Sequence, residues 1–245
     1  MRADVLLVER GLAPSRTAAQ RLIAAGHVFA RDGLAKVALT KASATVHDDT
    51  QIEIEASELD RFVSRGGLKL EGALKHIALD VTNFRCLDVG QSTGGFTDCL
   101  LHRGAAQVVG VDVGHDQLHT QIRQDSRVTC IEGVNARTLQ NIGEPFDLIV
   151  ADVSFISLTK VLPQWPALLR EDGRVLSLVK PQFEVGANNL ARGGIVRDAS
   201  LYVTVEKTIR KACTDAGLKV LEYFDSSITG GDGNREFFVY AESIK

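Results

Sequence analysis

The chain has no run of 18 or more apolar residues, so no helix in it is expected to span a membrane. Cysteine is scarce. Cys86, Cys99, Cys130 and Cys213 stand far apart and none forms a Cys-x-x-Cys pair. That spacing excludes a disulfide framework and a cysteine-built metal site, and it reads as buried, inert thiols in a reducing compartment. No apolar signal core follows Met1-Arg2-Ala3-Asp4, so a cytoplasmic location is expected. Net charge is small, 28 Lys+Arg against 31 Asp+Glu, so the bulk composition carries no signature of a nucleic-acid binder and the distribution of charge has to supply one. Internal repeats and low-complexity tracts are also missing. What remains is an ordinary globular composition, 44% hydrophobic and 24% charged over 245 residues, which suits one large domain and one small one.

Residues 1–56 read as a small α+β unit. Apolar residues at helical spacing run from Ala3 to Arg10 and stop at Gly11. Pro14-Ser15 opens a second helix with Ser15 as N-cap, and Gly26 ends it. Val28-Phe29-Ala30 suggests a strand, Asp32-Gly33 a turn, and Ile52-Glu53-Ile54-Glu55 alternates as a half-buried strand. Residues 57–80 form a linker with a leading helix. From 81 to 245 strands and helices alternate. Strands are expected near 85–89, 107–112, 128–132, 146–152, 174–179, 219–226 and 236–241, and helices near 95–102, 117–124, 158–168 and 200–216. Most of the strands are near-continuous apolar runs, as buried parallel strands are. The pattern predicts an open, doubly wound, Rossmann-like α/β sheet closing in a hairpin across the glycine-rich residues 227–235.

The chemistry-bearing residues fall at strand ends. Asp88-Val89-Gly90-Gln91-Ser92-Thr93-Gly94-Gly95-Phe96 is a strand end, a glycine turn and a helix start, which lets a ligand approach the backbone. The dinucleotide fingerprint Gly-x-Gly-x-x-Gly wants glycine where Ser92 stands, so a pyrophosphate is disfavoured and a phosphate-free nucleoside cofactor fits better. Asp112 ends the next strand, placed to accept hydrogen bonds from the hydroxyls of a ribose, and Asn135 follows the third strand, placed to meet an adenine. This set (Asp88, Gly90, Ser92, Thr93, Gly94, Gly95, Phe96, Asp112 and Asn135) is read as a site for S-adenosylmethionine (SAM), with dinucleotide binding as the alternative. A solvated loop acid is the plain reading of Asp112. Asp152 ends the fourth strand and Lys180 the fifth, both after buried apolar runs. A snorkelling surface lysine is the plain reading of Lys180, and Gln91 has no evident role.

Two further absences narrow the chemistry. The fourth strand is followed by Asp152-Val-Ser-Phe155, without the paired prolines common in amino methyltransferases. No cysteine stands at these strand ends to serve as the nucleophile of a cytosine C5 enzyme. A hydroxyl acceptor fits better.

With these residues the chain resembles the TlyA family of bacterial ribosomal RNA 2'-O-methyltransferases, often labelled haemolysins, over nearly all of 2–242. Arg2-x-Asp4 through Arg10-Gly-Leu, Ser15-Arg16, Ala19, Leu22-Ile23 and Gly26-x-Val28 are similar to the RNA-binding module of the ribosomal-protein-S4 type. The remainder resembles the FtsJ-type enzymes, whose Lys-Asp-Lys-Glu tetrad matches Lys69 in Ser64-Arg-Gly-Gly-Leu-Lys69, Asp152, Lys180 in Val-Lys180-Pro-Gln-Phe-Glu, and Glu236 in Asn234-Arg-Glu236-Phe-Phe. The resemblance implies a SAM-dependent methyltransferase domain at 81–245, acting on a cytidine ribose. In it Lys180 would meet the 2'-hydroxyl, Asp152 and Glu236 would orient Lys180, and Lys69 would position the hydroxyl. Gln91 departs from the small residue expected there.

Charge distribution agrees with an RNA partner. Residues 1–31 hold five arginines against Asp4 and Glu9, and residues 61–75 hold Arg61, Arg65, Lys69 and Lys75 against Glu71. Arg2, Arg10, Arg16, Arg21 and Arg65 are the expected phosphate contacts, with an ordinary solvated helix face as the plain alternative. The expected partner is ribosomal RNA or a ribosomal subunit; no membrane and no metal is expected, and no protein partner is readable from the sequence. The competing functions are a non-catalytic RNA-binding protein with a methyltransferase fold and, far less compatible with the sequence, a pore-forming haemolysin.

Overall fold

The computed structural model describes every residue except 14, 33, 34, 55–60, 141, 231, 232 and 245, and for Arg21 and Asp32 the backbone alone. It divides into two compact units, 1–61 and 62–245.

In the first unit helix α1 (Ala3–Glu9) and helix α2 (Arg16–Ala24) precede strands β1 (Val28–Asp32), β2 (Ala35–Ala38) and β3 (Gln51–Ile54). The strands form one antiparallel sheet in the order β2-β1-β3. Leu6, Leu7, Ala19, Ile23, Val28 and Val46 make its core. Ser15 Oγ accepts the N–H of Ala18, as an N-cap does. Strand β2 had no hydrophobic signature because all four of its residues are exposed at the sheet edge. The expected turn residue Gly33, the strand end Glu55 and the helix opener Pro14 lie outside the described residues.

The most demanding group of this unit is Asp4, which has no exposed surface. Its Oδ1 accepts Arg2 Nε at 2.9 Å, while Oδ2 accepts Gln20 Nε2 at 2.9 Å and Arg16 Nη2 at 3.1 Å. The hydrogen bond from Arg2, then that from Gln20, hold the carboxyl well below the usual carboxylate range, and burial opposes them less strongly.

The second unit begins with helix α3 (Arg65–His76). Then follow β4 (Arg85–Val89), α4 (Gly95–His102), β5 (Gln107–Val111), α5 (Thr120–Arg123), β6 (Val128–Ile131), β7 (Phe146–Ala151), α6 (Trp165–Leu168), β8 (Leu169–Val179), α7 (Leu201–Asp215), β9 (Leu218–Asp225) and β10 (Phe237–Ser243). The sheet order is β6-β5-β4-β7-β8-β10-β9, the expected open doubly wound arrangement. Its first five strands are parallel, and β10 runs antiparallel between β8 and β9. Alternate strand residues feed two cores. Leu87, Val89, Ile149, Ala151, Val175 and Val239 face Trp165 and the apolar side of α7. Cys86, Val108, Leu148, Val150, Leu176 and Phe238 face α3, α4 and α5. Three layers result, with the sheet in the middle.

Three elements differ from the sequence expectation. The helix expected over 158–168 is two short 3-10 turns and the single turn of α6, with Pro163 and Pro166 each at the start of a short segment. The helix expected from Gln117 begins only at Thr120; Asp116 before it adopts φ +57°, outside helical space. Strand β8 starts five residues early, because Leu169 pairs with Phe146 across an irregularity that the polar Glu171-Asp172 conceals. Of the segment 57–80, expected as linker and leading helix, residues 62–80 pack into the larger unit: Leu70, Ala73 and Leu74 of α3 are buried there.

Asp4→Ala leaves two guanidinium groups and an amide without their acceptor. We expect a lower melting transition for the first unit in calorimetry of the full chain. A carboxyl whose folded pKa is depressed stabilises above its unfolded value, about 3.9, and that contribution fades as pH falls below it. The wild-type transition should therefore weaken in acid more steeply than that of Asp4→Ala; equal acid slopes would remove Asp4 from the account.

Candidate active site

All five parallel strands deliver their carboxyl ends to one edge, where an open α/β sheet holds its ligands. The tip of β4 carries Asp88 and the turn Gly90–Gly95; β5 is followed by Asp112, β6 by Asn135, β7 by Asp152 and β8 by Lys180. Strand β10 is antiparallel, so it starts at this same edge, with Phe237 opposite Val179. Glu236, one residue earlier, therefore sits beside Lys180. Lys69 arrives from the buried side of α3.

The β4 turn fits tightly against β7. Gly90 has φ +83°, and a Cβ on it would lie 2.8 Å from the Asp152 carbonyl oxygen, so no other residue fits without strain. The turn also uses its own donors. The N–H groups of Gly90 and Gln91 both donate to Val111 O, that of Ser92 to Asp112 Oδ2 at 2.7 Å, and that of Gly94 to Gln91 O. In a dinucleotide site such groups cradle a pyrophosphate. Here they are committed, and the acids Asp88, Asp112 and Asp152 end three adjacent strands, a setting that repels phosphate and suits a cation. This observation disfavours the dinucleotide alternative and fits SAM, whose sulfonium is positive.

Three cavities open along the edge. One of about 560 Å³ is lined by Gly90, Ser92, Asp112, Asn135 and Asp152 together with apolar Val134, Val153 and Ile156. Its size and lining suit a nucleoside cofactor. A smaller one of about 170 Å³ adjoins Thr93, Gly95 and Phe96. Of the remaining expected cofactor residues, Asp88 and Gly94 line none of the three cavities: Asp88 is fully buried, and Gly94, within the turn, packs toward Leu118 and Ile122. Asp112 is braced by two backbone donors, Ser92 N–H and Gly114 N–H, both at 2.7 Å. Asn135 Oδ1 caps the following 3-10 turn by accepting the N–H of Arg137. Both side chains are thereby fixed at the cavity wall.

The third cavity, about 410 Å³, is lined by Lys69, Ser154, Phe155, Lys180, Gln182 and Glu236, among others. The four tetrad positions form two ion pairs. Lys180 Nζ lies 2.5 Å from Asp152 Oδ1 and donates to Ser154 Oγ at 2.7 Å. Lys69 Nζ lies 2.6 Å from Glu236 Oε2, and both are almost buried. Glu236 thus holds Lys69, while Lys180 is held by Asp152 and Ser154. Phe155, on which the sequence was silent, is 92% exposed with φ +62°, borders both larger cavities and packs against Phe183 at a centroid distance of 5.3 Å. Its loop is pinned from below by Glu184, which accepts Ser157 Oγ at 2.6 Å and the N–H of Leu158 at 2.7 Å; burial raises the Glu184 carboxyl.

The expected RNA contacts are partly committed. Arg2 and Arg16 clamp Asp4, and Arg10 donates to the carbonyls of Asp48 and Thr50. Arg65 donates to Thr229 O at 3.1 Å within the larger unit. The side chain of Arg21 lies outside the described residues.

The fold and the strand-end acids define a methyltransferase-type α/β unit. Comparison with known proteins agrees: residues 62–243 match the FtsJ-like methyltransferase model and residues 1–29 the S4 domain model. The 16S/23S rRNA (cytidine-2'-O)-methyltransferase TlyA of Mycobacterium tuberculosis is 44% identical, over 98% of this chain and 88% of that protein. Hemolysin A of Brachyspira hyodysenteriae is 38% identical over 98% and 99%. A solved structure of a hemolysin-named protein from Streptococcus thermophilus superposes with TM-score 0.75 at 39% identity, covering 99% of this chain and 88% of that one. The chain belongs to the TlyA family of FtsJ-like methyltransferases, a family that implies the use of SAM. Among the described residues no helix is long and apolar enough to cross a membrane.

Removing one member of a buried ion pair strands the other's charge. Glu236→Ala should lower the unfolding free energy in urea by about 3–5 kcal/mol, and Lys69→Met/Glu236→Leu by distinctly less. Equal losses would mean that the pair is not electrostatically coupled.

Proposed function

We propose that this protein transfers the methyl group of SAM to the 2'-hydroxyl of a cytidine in ribosomal RNA, working on ribosomal subunits in the cytoplasm. The observation that carries the reading is the pair of Lys–carboxylate contacts in a cleft beside a phosphate-averse nucleoside cavity. The names borne by the relatives and the S4 match supply the substrate class.

The cavity residues Asp112 and Asn135 hold the nucleoside part of the cofactor, at its ribose and adenine respectively, and the Gly90–Gly95 turn meets the remainder. SAM, when bound, supplies an activated methyl on a positive sulfonium. Lys180 Nζ, aimed by Asp152 and Ser154, meets the 2'-hydroxyl; it yields a proton to the Asp152 carboxylate 2.5 Å away and takes up that of the hydroxyl as the oxygen attacks. Lys69, kept in place by Glu236, donates to the acceptor oxygen and fixes its position. With the methyl already activated, alignment contributes more to the rate than basicity does. The exposed ring of Phe155, held between the two cavities, offers a stacking face for the acceptor base. The remaining donors of Arg2, Arg10, Arg16 and Arg65, together with Arg21, meet RNA phosphates.

Lys180→Ala should reduce labelled methyl transfer to isolated ribosomal subunits by about 10²–10⁴-fold while the SAM dissociation constant stays nearly unchanged; full activity would sink the assignment. Mapping the modified ribose in the wild-type reaction tests the cytidine. Phe155→Ala should raise KM for RNA by about tenfold or more, the loss of one base–aromatic stack; an unchanged KM would take the base off this ring.

A further inference from the structure

Gln91 sits in the cofactor turn, yet its side chain is only 4% exposed. Its amide lies over β5 in a space that exists because residue 110 is glycine: a Cβ there would fall 1.9–2.2 Å from the three amide atoms. Gly110 is the β5 register partner of Asp88. From this seat Gln91 Nε2 donates to Thr97 Oγ1 at 2.9 Å, and Thr97 Oγ1 donates to Asp88 Oδ2 at 2.7 Å. The relay runs one way. With an oxygen lone pair of Thr97 claimed by the amide, its single proton is directed to the carboxylate, and each bond polarises the next. Every link favours a charged Asp88.

The surroundings oppose that charge. Asp88 has no exposed surface, and its Oδ1 has no hydrogen-bond partner among the described residues. Burial pushes its carboxyl up to about 7; Thr97 pulls it down, and Asp152 and Asp112 add to the rise. The register partners Gly110 on β5 and Val150 on β7 are uncharged, and Cys86 on its own strand is buried. The cations that the described residues bring to this edge, Lys180 and Lys69, are engaged by Asp152 and Glu236. A positive ligand in the neighbouring cavity, walled by Gly90, Asp112 and Asp152, would supply the missing counter-charge.

We infer that Gln91 is a positioning residue for cofactor binding: through Thr97 it holds Asp88 ready to ionise when a cationic sulfonium enters, so that the cofactor binds with release of a proton and its demethylated, uncharged-sulfur product does not. The inference rests on the SAM reading above. It gives the enzyme an electrostatic preference for the charged cofactor over the spent one, and it makes Gly110 the obligatory complement of Gln91.

The test is calorimetric titration of the full chain with SAM and with S-adenosylhomocysteine, from pH 6 to 8.5, in buffers of different ionisation enthalpy. SAM should release part of a proton near pH 7, and its affinity should fall by up to about tenfold per pH unit below that value, the limit for one linked proton. S-adenosylhomocysteine should release distinctly less. Gln91→Ala/Gly110→Ala returns a methyl to the vacated seat without the amide. It should shift proton release to higher pH, because a carboxylate that loses a favourable relay has its pKa raised further. Thr97→Val cuts the same relay with little change of volume and should shift it the same way. Proton release independent of pH in the wild type, equal release with both ligands, or an unmoved profile in a folded variant would overturn the inference. Failure of SAM to bind at any pH would instead overturn the cofactor reading.

Discussion

The larger unit is organised by the closeness of two strand tips. The turn after β4 touches the end of β7 at Gly90, where a Cβ would fall 2.8 Å from the Asp152 carbonyl oxygen, and Asp152 N–H donates to Val89 O at 3.0 Å. With no side chain between them, the wall of the nucleoside cavity and the carboxylate that holds Lys180 are consecutive parts of one surface. A side chain at position 90 would separate cofactor from acceptor, and the orientation on which transfer depends would be lost. The helices on both faces, Trp165 and α7 on one and α3 with α4 on the other, make the sheet rigid enough for that contact to be kept.

Charge is then allocated along the edge by how many partners each acid finds. Asp112 takes two backbone donors, Asp152 a lysine, Glu236 another lysine, and Asp88 a relay of neutral groups. The first three are settled within the protein. Asp88 alone among these four faces burial without a formal positive partner, so the edge as a whole carries an electrostatic vacancy of one sign. The commitment of the N–H groups of Gly90, Gln91, Ser92 and Gly94 withdraws them from any anion at the same place. Selectivity for a positively charged nucleoside thus follows from the distribution of donors as much as from the shape of the cavity.

Much of this was legible in the sequence. The apolar runs ending in Asp88, Asp112, Asp152 and Lys180 reveal a parallel sheet and its functional edge, because a charge directly after a buried strand has to leave the core there. Glu236 and Lys69 were legible only through family resemblance: an inner antiparallel strand and a helix face bring them in, and no periodicity announces either. The pairing of Glu236 with Lys69 instead of Lys180 depends on side-chain reach across α3 and β10, which strand patterns do not encode. Phe155 looks like one more apolar residue until its backbone is seen at positive φ. Gln91 was opaque for a related reason: its meaning lies in Gly110, nineteen positions away in the chain and directly beneath it in space.

In the small unit, Arg2 and Arg16 each spend part of a guanidinium on Asp4 and keep the rest outward, with about half of each side chain exposed. In the function proposed here the same two residues are both mortar and grip. A change that strengthened or weakened their hold on a phosphate would also loosen or tighten the module that carries them. Evolution cannot adjust adhesion here without adjusting the integrity of the fold, and that shared dependence constrains which arginines this surface can exchange for lysine, whose ammonium lacks the guanidinium's forked geometry.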